Sequence, residues 1–294
     1  MSLSDKLYNT YTNLSIGLTN QFDLINSISA ALENKVGGYG AAEEDRAKWL
    51  NKSWTEISDG EVANILDFTF YSYSNLSSAN FPVCQTIGES AFAYCSSLTN
   101  ISFPACTHIG GSAFGGCSSL SNAYFPACTN LGSAAFMECT GLTSANFPVC
   151  KNIEGLAFVY CENLCDIHFP TCESVGIGAF QDCFSLTNIN LPACKTIGNN
   201  AFSNCTNLTT VSLSTCNTLS RNAFKSCCQL MSVMLGGSSV VSLANDSVFD
   251  GTPMWDEEYT GAFGSIYVPA SLVDAYKSDS KWETYADRIT AISQ

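Results

Sequence analysis

From Leu98 onward the chain sets apolar positions in a fixed order, Leu98, Ile101, Phe103, Cys106, Ile109, Ala113, Phe114 and Cys117, with mostly small or polar residues between them. The same order restarts at Leu76, Leu98, Leu120, Leu142, Leu164, Leu186, Leu208 and Leu230, a period of 22 residues. Written out, the unit is L-x-x-[AIV]-x-[FL]-P-x-C-x-x-[ILV]-G-x-x-A-F-x-x-C-x-x. Its first half alternates as a short strand with one buried face does, so Leu98, Ile101 and Phe103 point inward and Asn100 and Ser102 outward. Pro104 ends that strand, having no N–H for a neighbouring ladder. Units this short cannot bury a core alone and must stack. The fold class expected is therefore a repeat solenoid, a right-handed superhelix with a parallel strand face and ladders of phenylalanine and cysteine.

The second half of the unit predicts the turns. Gly110, repeated at Gly88, Gly132, Gly176 and Gly198, sits where a positive φ is expected. Glu154 and Ser220 depart from it, so their coils must tolerate strain or turn differently. The Ala-Phe pair and the following cysteine suit a short helical turn. Phe92, Phe114, Phe136, Phe158, Phe180, Phe202 and Phe224 then form one continuous stack.

This unit resembles the leucine-rich repeat, whose L-x-x-L-x-L-x-x-[NC] signature is met by Leu98, Ile101, Phe103 and Cys106. More closely it resembles the BspA-like branch of that class, through the I-G-x-x-A-F-x-x-C run from Ile109 to Cys117. The resemblance implies a bacterial surface or extracellular protein concerned with adhesion and recognition.

The flanks differ from the repeats. Leu7, Tyr11, Leu14, Leu18, Phe22, Ile25, Ile28 and Leu32 fall three or four apart, a helical stripe that Ser4 can cap. One use of it is to shield the first coil. The other is a coiled coil joining copies into a homo-oligomer through residues 4–34, since the spacing is close to a heptad. Gly37, Gly38 and Gly40 mark a linker before a short helix over 41–51. Residues 1–53 thus read as a helical N-terminal segment and 54–269 as the solenoid. Within the solenoid, 54–75 is a degenerate coil beginning at Trp54, 76–250 the regular coils, 251–262 an insertion and 263–269 a last coil. The eighth unit runs three residues long, so that Phe249 takes the phenylalanine position. Residues 270–294 read as a helical cap starting at Ser271, with Trp255 and Trp282 as alternative binding aromatics.

Composition changes the picture in one respect. Apolar residues make up 46% of the 294, yet only 13% are charged, so Ser, Thr and Asn must cover the surface. The net charge of −14 divides as −5 over 1–75, −3 over 76–245 and −6 over 246–294. No basic stripe exists, which argues against nucleic acid and anionic lipid as partners. Charged and polar residues run through 4–34, so that stretch is neither a secretion signal nor a membrane span, and no other stretch supports membrane insertion.

Fourteen of the 16 cysteines alternate at intervals of eleven, all at inward positions. Parallel side chains on coils about 4.8 Å apart leave Cβ atoms wider than a disulfide prefers, so packed thiols are expected. Cys165 and Cys228 lie off the frame, with Cys165 expected on the surface. No Cys-x-x-Cys pair exists, His108 and His168 occupy different frame positions, and neither a metal nor a cofactor is expected. The one cluster suggestive of catalysis is Asp166 and His168 on one strand with Ser144, Asn146 and Tyr124 on the coils before it. Nothing supplies oxyanion donors or an enclosed pocket, so no enzymatic activity is expected.

Candidate contacts for a partner are the outward strand residues Asn80, Asn100, Ser102, Asn122, Tyr124, Asn146, Asp166, His168, Asn188 and Asn190. They would form an extended, weakly charged, amide-rich face for a protein or glycan ligand. The rival reading is a structural spacer or assembly component, as of a phage-like particle, oligomerising through the N-terminal helix. The lack of a leader or anchor in the chain favours this rival and a cytoplasmic or particle-associated place.

Overall fold

The structure, a computed structural model, describes residues 55–245, 247–255 and 263–292. They fall in the unit spanning Ser53–Gln294, distinct from Met1–Lys52. The helices expected over 4–34 and 41–51, and Trp54, lie outside the described residues, as does most of the 251–262 insertion.

Each period of 22 residues forms one coil carrying two strands. The first, Asn100–Ser102 for example, is three or four residues long, and the second, such as His108–Ile109, is two. Both pair in parallel with the equivalent strand one period away: Thr86 opposes His108, and His108 opposes Asn130. The two-residue strands join into one nine-stranded sheet from Asn64–Ile65 to Ser242–Leu243. The longer strands lie side by side as the repeat predicts, but their hydrogen bonding divides them into three sheets.

The interior is a set of columns. The Leu76-to-Leu230 series and both cysteine series are buried. The expected phenylalanine stack is present and longer, running from Phe70 through Phe92 to Phe224 and on to Phe249 with near-parallel rings 4.9–5.6 Å apart. The three-residue lengthening thus ends with Phe249 in register. A second stack, Phe81, Phe103, Phe125, Phe147 and Phe169, meets the first edge to face, as Phe158 and Phe169 do at 5.9 Å and 73°. Such pairs add to the area that burying the rings already removes from water. All 16 cysteines are free thiols, and only Cys165 and Cys228 are exposed. The buried ones donate to backbone oxygens, Cys84 to Thr86 O at 3.2 Å and Cys95 to Phe70 O at 3.1 Å.

Two local expectations are corrected. The frame glycines do not have positive φ; the left-handed residues are two and six positions later, as at Ser90 and Tyr94 or Asn200 and Asn204. Glycine is needed for close approach instead, because a Cβ on Gly110 would lie 2.6 Å from the backbone carbon of Gly88 on the preceding coil. Ser220 still makes the frame bonds, donating to Ile197 O at 2.9 Å and accepting from Ala223 N–H at 3.2 Å. At Glu154 neither equivalent bond forms, yet Leu156 and Tyr160 keep the left-handed places of the frame, so this coil turns as the others do and lacks two of their bonds. The segment around Ala-Phe is also not helical. A helix would keep its N–H groups to itself, whereas here alternate N–H groups reach the next coil, Ser90 to Gly111 O at 2.9 Å and Phe92 to Ala113 O at 2.7 Å.

The chain end closes the core. A strand (Ser265–Val268), a six-residue helix (Val273–Ser278), a 3-10 turn (Glu283–Arg288) and a last strand (Ile289–Ala291) follow in order. Trp282 is fully buried and donates to Val241 O at 2.8 Å, while Tyr276 Oη accepts from Val241 N–H at 3.0 Å. That overturns Trp282 as a binding aromatic: it seals the last coil's open edge. Ser271 caps nothing, for neither terminal helix has a side-chain cap. Phe263 is exposed, beneath the Arg288 guanidinium at 3.6 Å.

Candidate binding face

The longer strands bring the sequence-predicted residues together in three groups. Asn80, Asn100 and Ser102 lie on the Glu56–Ser58, Ser78–Asn80 and Asn100–Ser102 sheet. Asn188 and Asn190 begin the sheet that runs to the C-terminus. Between them, Asn122–Tyr124, Ser144–Asn146 and Asp166–His168 form a three-stranded panel.

Two seams set this panel apart. Within the sheets the strand-ending residue donates across to the next coil, Phe81 N–H to Ser102 O at 2.9 Å and Phe147 N–H to His168 O at 3.0 Å. Among the described residues no such bond leaves Phe103 or Phe169. At the first seam the stacked rings Phe103 and Phe125 stand 6.0 Å apart, the widest step of their column. At the second, Phe169 is followed by the smaller Leu191, ending the ring stack. The inward residues beside the seams, Ile101 and Ile167, are half-buried, whereas their counterparts Ala79, Ala123, Ala145, Ile189 and Val211 are buried.

Register places Tyr124, Asn146 and His168 in one outward row, and Asn122, Ser144 and Asp166 in the row beside it. The second row is internally bonded, for Ser144 Oγ donates to Asn122 Oδ1 at 3.1 Å. In the first row Tyr124 is 54% exposed and His168 is exposed. Asn146 between them is half-buried, and its Oδ1 is enclosed without a hydrogen-bond partner. A buried, unpaired amide oxygen costs about 1–3 kcal/mol, so such an atom calls for an explanation.

Nucleophilic catalysis finds little support here. Ser144 stands opposite Asp166, not His168, and its hydroxyl is turned to Asn122. Asp166 and His168 are both exposed on the sheet surface, where water is not excluded from them. Among the described residues no group of three metal-binding side chains is close enough to hold an ion.

Sequence reasoning did not anticipate what the hydroxyls after several frame leucines do. Thr99 Oγ1 donates to Ser77 O at 3.1 Å, Thr143 Oγ1 to Ser121 O at 2.9 Å, and Thr209 Oγ1 to Thr187 O at 3.0 Å. This hydroxyl column staples coil to coil, and its signal was the recurrence of Ser or Thr at that position.

A family model described as the BspA type leucine rich repeat region matches residues 63–170 and 129–254 in six copies. No curated protein matches the sequence. Among solved structures, a leucine-rich repeat protein of T. pallidum is similar at 26% identity over 46% of this chain and 79% of that one, with a TM-score of 0.37. A leucine-rich repeat protein from Bacteroides ovatus is 18% identical over 81% of this chain and 83% of its own, with a TM-score of 0.41. A leucine rich cell surface protein from Faecalibacterium prausnitzii is 20% identical over 79% and 77%, with a TM-score of 0.33. Among the described residues no helix is long and apolar enough to cross a membrane.

Proposed function

Because the chain belongs to the BspA-type leucine-rich repeat family, we propose that it is a non-catalytic binding module that presents its longer-strand face to a protein or glycan at a bacterial surface. The observation that carries this reading is the Tyr124–Asn146–His168 row: an exposed aromatic, an amide lacking a partner and an exposed imidazole, brought side by side by register. Exposed aromatic and polar groups on a rigid scaffold suit recognition better than chemistry. Surface placement rests on family membership.

The test is adhesion of the purified, fluorescently labelled chain to whole bacterial and epithelial cells, read by flow cytometry. Asn122→Arg and Asn190→Arg add bulk and charge to the longer-strand face, and Asn130→Arg does so on the nine-stranded sheet. Adhesion should fall at least tenfold with the first two and stay unchanged with the third. Adhesion that survives on the longer-strand face but is lost with Asn130→Arg would contradict the proposal.

A further inference from the structure

We infer that the Tyr124–Asn146–His168 row is a site for a neutral saccharide, which rests on the binding reading above and narrows its ligand. Three properties of the row select the ligand. The first is size: three strands about 4.8 Å apart, each about three residues long, make a patch roughly 10 Å across. A stable protein partner covers about 800 Å² on each side with 20–30 residues, far more than this row of three side chains offers.

The second property is the Asn146 amide. Its Oδ1 has no donor, and with the amide turned over the same place would hold Nδ2, which would need an acceptor. A hydroxyl group both donates and accepts, so it serves either orientation. Apolar ligands offer neither, and a carboxylate or phosphate only accepts. No hydrogen bond holds Oδ1, so turning the side chain toward a ligand breaks none at that atom.

The third property is the company Asn146 keeps. Tyr124, 54% exposed, offers a ring face to the C–H side of a pyranose, and His168 adds a group that donates or accepts. Asp166 is the one charged side chain of the panel; it accepts from sugar hydroxyls and disfavours anionic sugars. A flat aromatic beside groups of mixed donor and acceptor character matches a polyhydroxylated ring more closely than it matches an apolar or phosphorylated ligand.

The experiment presents the full chain with an array of neutral hexose and N-acetylhexosamine oligosaccharides alongside sialylated and sulfated ones, with hits remeasured by calorimetry. Neutral oligosaccharides should bind and anionic ones should not. Tyr124→Ala and His168→Ala should each weaken binding about tenfold or more, roughly 1.4 kcal/mol each, with Asn130→Ala without effect. Asn146→Gln, which keeps the amide but moves it, should also weaken binding. Neutral sugars bound equally by all row variants would overturn the inference, as would binding confined to anionic sugars. If no sugar binds up to millimolar concentration while Asn122→Arg still abolishes cell adhesion, the saccharide inference falls and the binding reading stands. If neither sugar binding nor adhesion depends on this face, both fall.

Discussion

Inside the coils the leucine, cysteine and first phenylalanine columns each keep one kind of residue through the regular coils, whereas the outward row Tyr124, Asn146, His168 sets three unlike side chains next to one another. The columns work by sameness: a phenylalanine above a phenylalanine stacks 4.9–5.6 Å away, and a thiol above a thiol repeats one bond to a carbonyl. The row gains nothing structural from its variety, and one of its members leaves an amide oxygen unpaired. In a chain built from one motif, then, the fold lies in what the coils share and the recognition in where they differ. The comparison can be broken at either side.

The largest effect should come from breaking the period itself. Deleting residues 142–163 removes one whole coil and should leave a shorter protein that unfolds cooperatively, because each coil contacts only its neighbours. Deleting residues 142–152 should abolish the fold, although it still sets cysteine against cysteine, because it opposes a strand with a run of turns. A cooperative denaturant transition retained by the shorter deletion would contradict this account of the columns.

Next in size is the response of the thiol columns to alkali. Burial pushes Cys95, Cys106 and Cys216 up to about 12 and Cys150 to about 11. Cys172 and Cys194, donating to Ser174 O and Thr196 O, are buried as well, and burial favours the neutral thiol in both. In the unfolded chain thiols ionise near about 8.5. Because the folded values are raised, this stabilisation is complete below about pH 8.5 and is lost as pH climbs toward the folded values. At pH 10 each buried thiol should disfavour the folded state by about 2 kcal/mol relative to neutral pH. The columns together then exceed a total stability of about 5–15 kcal/mol. Circular dichroism under reducing conditions should show cooperative loss of structure between about pH 9 and 10.5. An unchanged melting temperature at pH 10.5 would show that the columns do not stay protonated as their burial requires.

How far this was legible in the sequence differs between the two regions. The 22-residue frame, the inward leucines, the cysteine columns and the return of Phe249 after the lengthened unit could all be read from spacing, because packing repeats with the period. The role of Gly110 could not, since a positive φ and a backbone 2.6 Å away both demand glycine, and the residue type does not say which. The turns were misjudged for a related reason: bonds to the next coil outweigh the local preference for a helix and place Ser90, Tyr94 and Asn200 in left-handed conformation. Tyr124, Asp166 and His168 stood out as departures from the motif. The seams that frame them did not, because they arise from coil spacings that differ by tenths of an ångström. Asn146 looked like an exposed amide, and only the structure shows its oxygen enclosed.

The smallest expected effect gives the most direct test. Phe158→Ala removes a ring from mid-stack with coils on both sides holding the cavity open, and should cost about 3–5 kcal/mol. Tyr124, Asn146 and His168 replaced together by alanine remove exposed groups and one unpaired buried acceptor, so the change should stay within about 1 kcal/mol in either direction. Denaturant melts of the two variants and the parent chain, measured side by side, decide the matter. A large loss for Phe158→Ala beside a near-unchanged triple variant is the result predicted. A triple variant as destabilised as Phe158→Ala would mean that the row holds the fold together, and that it is not a surface free to bind.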